Sequence, residues 1–146
     1  MITLKRTQRS IVKLAFDGHI HKQFQGSKAL ERLTNELRVL LYLEDADCPF
    51  VPRVVGFRLS DFTLVQSNCG RPVEYLNDCK VAELFAHLLE YGVEHDDACL
   101  RNITYRLSDG QFCLVDFEFA RILNQSSLVE RIEHSLDLIE NLTSRC

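Results

Sequence analysis

HDDACLRNITYRLSDGQFCLVDFEF, residues 95–119, decides how this chain is read. Its acids are grouped rather than scattered over a solvated face. His95, Asp96 and Asp97 stand together, Asn102 follows five positions after Asp97, and the apolar run Phe112–Val115 ends on Asp116. Ile103–Leu107 predicts a strand, Ser108-Asp109-Gly110 a turn, and Phe112–Val115 the returning strand. Such a hairpin carries Asp97, Asn102 and Asp116 to one end. Carboxylate and amide oxygens suit a hard cation. Mg²⁺ takes only one or two protein carboxylates and completes its shell with phosphate and water. Two acids and an amide therefore suffice for a metal–nucleotide site. They are too few for a calcium cage, and the acidic loop spacing of an EF-hand is missing.

Upstream, DCKVAELFAHLLEYG predicts a helix capped by Asp78, with Val81, Leu84, Phe85 and Leu88 as its buried stripe and Gly92 as its stop. Val51–Phe57 and Phe62–Val65 predict two short strands. KALERLTNELRVLLYLE predicts a long helix capped by Ser27, with Leu30, Leu33, Leu37, Leu40 and Leu41 at helical spacing. Before it, Ile11–Phe16 and His19–Phe24 flank the turn signal Asp17-Gly18 and predict a hairpin. Downstream, SSLVERIEHSLDLIENL predicts a final amphipathic helix with Leu128, Ile132, Leu136, Ile139 and Leu142 on one side. The fold class is α+β, with a strand-rich first half and a more helical second half.

The 146 residues suit one domain with a sizeable core. A net charge of −4 argues against a general binder of nucleic acid or anionic membrane. No window is long and apolar enough for a membrane span. MITLKRTQRS has no apolar run behind it, so a secretory signal is not expected. Six cysteines match no zinc spacing, and reduced thiols in a cytoplasmic or nuclear compartment are the expectation.

HDDACLRN followed by LVDFEFA resembles the protein-kinase-like superfamily. The resemblance is closest to its choline-kinase-like and aminoglycoside-phosphotransferase-like branch. There the catalytic loop reads H-x-D-x-x-x-x-N and the metal motif can read D-F-E; protein kinases use H-R-D-x-x-x-x-N and D-F-G. The resemblance implies a truncated two-lobed fold over residues 1–146. A small lobe of hairpin plus helix would occupy about residues 1–68, and a reduced helical lobe residues 69–146. It implies ATP and Mg²⁺ as cofactors. Asp97 would orient or accept the proton of an attacking hydroxyl, and Asn102 and Asp116 would hold the metal. Arg101 would bring positive charge near the γ-phosphate, and His95 would brace the loop. Lys22 on the second hairpin strand would pair with Glu36 on the following helix, with Glu31 the weaker partner. At about 100° per residue, Glu36 is expected some 90° from the centre of the leucine stripe. The connection FTLVQSNCGRPVEYL would face adenine, with Gln66 among the cofactor-binding residues.

The same comparison exposes departures. No glycine-rich loop is present, and the first strand and its phosphate-covering turn are expected to be missing. Asp96 stands where protein kinases have Arg, and Cys99 where they have a catalytic-loop Lys. About 30 residues follow Asp116, without A-P-E, so a substrate platform is largely absent and a protein partner could complete it. The expected activity is transfer of a γ-phosphoryl group to a hydroxyl, protein Ser/Thr ahead of a small alcohol. The alternative is a pseudokinase acting as a nucleotide- or partner-binding module.

Overall fold

The computed structural model describes residues 1–123, together with Glu133, His134 and Asp137. These residues form a mixed α+β fold with antiparallel sheets and few helices. The predicted final helix lies outside them, save that those last three residues are helical. Among the described residues, no helix is long and apolar enough to cross a membrane.

Five strands build the first sheet: β1 (Ile2–Arg6), β2 (Ser10–Leu14), β3 (Ile20–Phe24), β4 (Val54–Arg58) and β5 (Thr63–Gln66), in the order β1-β2-β3-β5-β4. The expected hairpin is therefore the middle of a larger sheet, and the first strand is not missing. MITLKR, read only as charged, is that strand. It lies at the sheet's edge with all five residues exposed, so it shows no apolar face to betray it. Its turn to β2 needs no glycine. Thr7 N–H donates to the Ser10 carbonyl, and the Thr7 hydroxyl accepts from the N–H groups of Arg9 and Ser10, both at 3.1 Å. At the next turn Gly18, at φ +86°, and the Asp17 carboxylate accepting from His19 N–H close the β2–β3 hairpin as expected.

Helix α1 (Ala29–Asp45) follows β3. Ser27 does not cap it; Lys28, at φ 58°, starts the helix without a side-chain cap. Its buried face is Ala29, Arg32, Leu33, Glu36, Val39, Leu40 and Leu43, whereas Leu30 and Leu41 are exposed. The stripe is thus rotated from the all-leucine reading. It carries two charged residues into the interior, where the cleft and the second half of the chain supply their partners.

After β5 the chain crosses through β6 (Arg71–Pro72) to helix α2 (Asp78–Glu90). Asn77, not Asp78, caps α2, accepting from Lys80 N–H at 2.8 Å. In the crossing, Gly70 sits at φ +89°, and any Cβ there would collide with the Tyr105 carbonyl. Then come β7 (Val93–Glu94), a 3-10 turn (Leu100–Asn102), the hairpin β8 (Ile103–Arg106) and β9 (Gln111–Leu114), and β10 (Arg121–Ile122). β6, β8 and β9 form one small sheet, and β10 pairs with β7 in another. Phe24, Leu33, Leu40 and Leu64 from the first half share one core with Leu88, Ile103, Leu114 and Phe117 from the second. Phe117 is core, whereas Phe119 is 41% exposed. Cys48, Cys69, Cys99 and Cys113 are free thiols, while Cys79 is disulfide-bonded, so the expectation of reduced thiols throughout does not hold.

Candidate functional site

Between the first sheet and the β8–β9 hairpin lies a cleft of about 590 Å³. Lys22, Gln66, Arg101, Asn102 and Asp116 all line it. Lys22 comes from the middle of β3 and is 5% exposed. Its ammonium meets Glu36 Oε2 at 2.8 Å and Asp116 Oδ1 at 2.8 Å. Burial works against this charge, but the two carboxylates outweigh it and raise the Lys22 pKa. Glu36, at the heart of the α1 stripe rather than at its edge, uses its other oxygen to accept from Phe117 N–H at 3.0 Å. Burial pushes its carboxyl upward, and Lys22 pulls it back only in part.

Asp116 holds a left-handed backbone at φ 67°, a conformation uncommon for a residue with a Cβ. Burial favours its neutral form, yet Lys22, aided by Lys5 and His95, holds the carboxyl below its usual range. Oδ1 of Asp116 is engaged, so Oδ2 is the oxygen left for a cation.

The acidic loop is braced from behind. His95 is buried, and its Nδ1 accepts from Asp97 N–H at 3.2 Å, which leaves Nε2 to donate to the Val115 carbonyl at 2.8 Å. Burial depresses the His95 pKa, so this neutral tautomer is the stable one. Asn102 donates Nδ2 to the backbone and side-chain oxygens of Asp97, at 2.9 and 3.1 Å. Its carbonyl accepts from Val115 N–H, which ties the loop to the residue before Asp116. The Asn102 Oδ1 remains as the ligand atom of that side chain. Among the described residues no group of three or more His, Cys, Asp or Glu assembles for a metal ion. One carboxylate and one amide oxygen nonetheless match the sparse protein ligation of Mg²⁺ beside a phosphate.

Asp97 sits at the rim. Arg101 Nη2 donates to both of its oxygens, at 2.8 and 2.7 Å. Burial raises the Asp97 carboxyl, but the bonds from Arg101 and Asn102 together outweigh this and hold it low. The residue is an ionised acceptor with bonds on both oxygens. Gln66, at the end of β5, is 7% exposed, and its Oε1 has no hydrogen-bond partner among the described residues.

Of the residues singled out from sequence, Lys22, Gln66, Arg101, Asn102 and Asp116 line the cleft; Glu36 reaches it through Lys22, Asp97 through Arg101 and Asn102, and His95 through the Val115 carbonyl, while Glu31 is exposed on α1. Sequence reasoning missed Arg32 and Glu118. Arg32 is 6% exposed and donates to the carbonyls of Arg9, Gln25 and Ser27 and, at 3.0 Å, to Glu118 Oε2. Asn35 adds bonds to the carbonyls of Glu118 and Ala120. Together they clamp α1 to the segment after Asp116. The only sequence signal was a charged pair, Arg32 and Glu36, one turn apart on a helix face that also carries Leu33 and Leu40. The cleft also lines up Lys5, Lys22, Arg71 and Arg101 against the single carboxylate of Asp116. Of these, Lys22 is paired with Glu36 and Asp116, and Arg101 with Asp97. No protein-family model matches the chain, and no curated protein matches it.

Proposed function

We propose that this chain is a compact, kinase-like phosphotransferase that moves the γ-phosphoryl group of ATP, with Mg²⁺, to a hydroxyl. The observation that carries the reading is the Lys22 ammonium, held between Glu36 and Asp116 from segments 14 and 94 residues away, in a cleft that Asn102 also lines. Phosphoryl transfer in kinases rests on such a Lys–Glu pair with a metal-binding Asp. The two-lobed reading is supported by a five-stranded sheet with α1 between its third and fourth strands, standing over the hairpin that bears Asn102 and Asp116.

When bound, the metal would neutralise charge on the phosphates and fix their orientation. Asp116 Oδ2 and Asn102 Oδ1 would hold it. Lys22 would contact the phosphates with its third N–H. Asp97 would orient the acceptor hydroxyl and take its proton, once Arg101 turns from it toward the phosphates. Gln66 and the crossing to Arg71 would face the base. A protein Ser or Thr is the first acceptor class to test, ahead of a small alcohol, and a protein partner at the site is part of the same proposal.

One observation favours the second reading, a pseudokinase acting as a nucleotide- or partner-binding module. Both Asp97 oxygens are already occupied, by Arg101 and Asn102. Calorimetry of ATP with and without Mg²⁺, on wild type and Asp116→Asn, tests nucleotide binding. Metal-dependent binding that the substitution abolishes supports it; no binding to wild type overturns it. Asp97→Asn then separates the two readings. In an enzyme it lowers turnover by about 10²–10⁴-fold with ATP affinity retained. Equal phosphate transfer by wild type and Asp97→Asn would remove Asp97 from the chemistry.

A further inference from the structure

We infer that Lys5 is a phosphate-binding residue, standing in for the backbone amides of a glycine-rich cover; this deepens the nucleotide reading above and rests on it. Two features of the first strand and its turn lead to it.

The β1–β2 turn, residues 7–10, occupies the position from which a cover would reach the phosphates. Three of its four amides are spent. The N–H groups of Arg9 and Ser10 both go to the Thr7 hydroxyl, and that of Thr7 to Ser10 O. Arg9 itself leans the other way, over the Phe119 ring and toward Glu118. The turn is closed on itself and offers the cleft little backbone charge.

One turn earlier, the strand compensates. Thr3 pairs with Lys13, but Lys5 pairs with Val12, so Leu4 is an extra residue, a β-bulge. In regular pairing Leu4 would oppose Val12 and Lys5 would oppose Ile11, on the other face. The bulge reverses this. Val12 in turn pairs with Lys22, so Lys5, Val12 and Lys22 form one row across three strands on the cleft face. Leu4 and Lys5 are consecutive, yet both line the cleft, as a bulge alone allows. Two strand spacings separate the backbones of Lys5 and Lys22, roughly 10 Å. Two long side chains on that baseline can grip a polyphosphate between them. Lys22 has two of its three N–H groups on carboxylates. The Lys5 ammonium, among the described residues, makes no ion pair or side-chain hydrogen bond, and its charge acts on the Asp116 carboxylate through space.

The test is calorimetric titration of wild type, Lys5→Met and Lys5→Arg with Mg·ATP, with AMP and with inorganic tripolyphosphate. Lys5 is exposed on an edge strand, so its replacement leaves the fold intact. Expected is a loss of about tenfold or more in ATP affinity for Lys5→Met, with AMP affinity unchanged, a shallower salt dependence, and recovery in Lys5→Arg. Equal ATP affinity in wild type and Lys5→Met overturns the inference. So does an equal loss for ATP and AMP, which would place Lys5 at the base or in the scaffold. If wild type binds tripolyphosphate through Lys5 but discriminates for no nucleotide, the phosphate site stands and the ATP reading falls. If it binds neither, both fall.

Discussion

Lys22 and Arg101 each hold a carboxylate at the same cleft, under opposite conditions. The Lys22–Glu36 pair is 6% and 1% exposed, and its members come from different elements. The Arg101–Asp97 pair is 64% and 32% exposed and spans four residues of one loop. Distances barely differ, 2.8 Å against 2.7 Å. What differs is the surrounding medium. Water screens the rim pair and can replace either partner, so the contact breaks and re-forms at little cost. The inner pair has no such substitute, and removing one member leaves a bare charge in the interior. Equal bond lengths therefore mark a fixed frame in one place and a movable part in the other.

The contrast is most exposed to refutation at Lys22. Lys22→Met is expected to lower stability by about 3–5 kcal/mol, measured by urea denaturation, because Glu36 and Asp116 are left facing each other. Adding Glu36→Gln should restore part of that loss. A loss below about 1 kcal/mol would mean the inner pair behaves like a surface one. Arg32 offers a second, smaller case. Arg32→Met leaves Glu118, 4% exposed, with the longer contact to Arg9 and removes bonds to three backbone carbonyls, of which that of Arg9 keeps the Gln25 N–H. The expected loss is about 2–3 kcal/mol, read from the same curves.

A third probe is pH. Burial holds His95 below its ordinary pKa, with Lys22 adding to the effect and Asp116, Asp97 and the Val115 carbonyl opposing it. The unfolded chain binds that proton more readily, so stability is full above about pH 6.5 and is lost as the pH falls through the unfolded value. The Tm should drop between about pH 7.5 and 5.5, and His95→Asn should flatten the drop. An unchanged slope in the variant would assign the acid sensitivity elsewhere. The smallest effect belongs to the rim. Arg101→Ala should leave the urea midpoint where it is while changing turnover or ATP affinity. A destabilised Arg101→Ala would turn the movable part into another piece of frame.

The residue types of the site were legible before the fold was seen, because H-x-D-x-x-x-x-N and a strand-terminal Asp are local patterns. Lys22 and Glu36 were legible as candidates, but their closeness to Asp116 was not; it depends on segments that meet only in three dimensions. The leucine count misled the helix reading. Leu30 and Leu41 look like core, yet the face that turns inward is the one whose Arg32 and Glu36 find partners across the cleft. The first strand was hidden for another reason. An edge strand with both faces exposed shows no alternation of apolar and polar residues. Its bulge is invisible in ITLKR, since register is a property of the pair rather than of either strand. Looking for glycine also missed the turn, because a Thr7 hydroxyl closes it instead.

The separation of 94 positions between Lys22 and Asp116 has a consequence during synthesis. Lys22 and Glu36, 14 residues apart, leave the ribosome almost together. At roughly 5–20 residues per second, Asp116 then follows Lys22 by about 5–20 s. Until then Glu36 is the one of the two carboxylate partners of Lys22 that has been made. The clamp of α1 onto Glu118 must wait as well. The charge centre is therefore among the last parts of the described chain to close, and a ribosome stalled before residue 116 would display a sheet and helix with an unfinished interior.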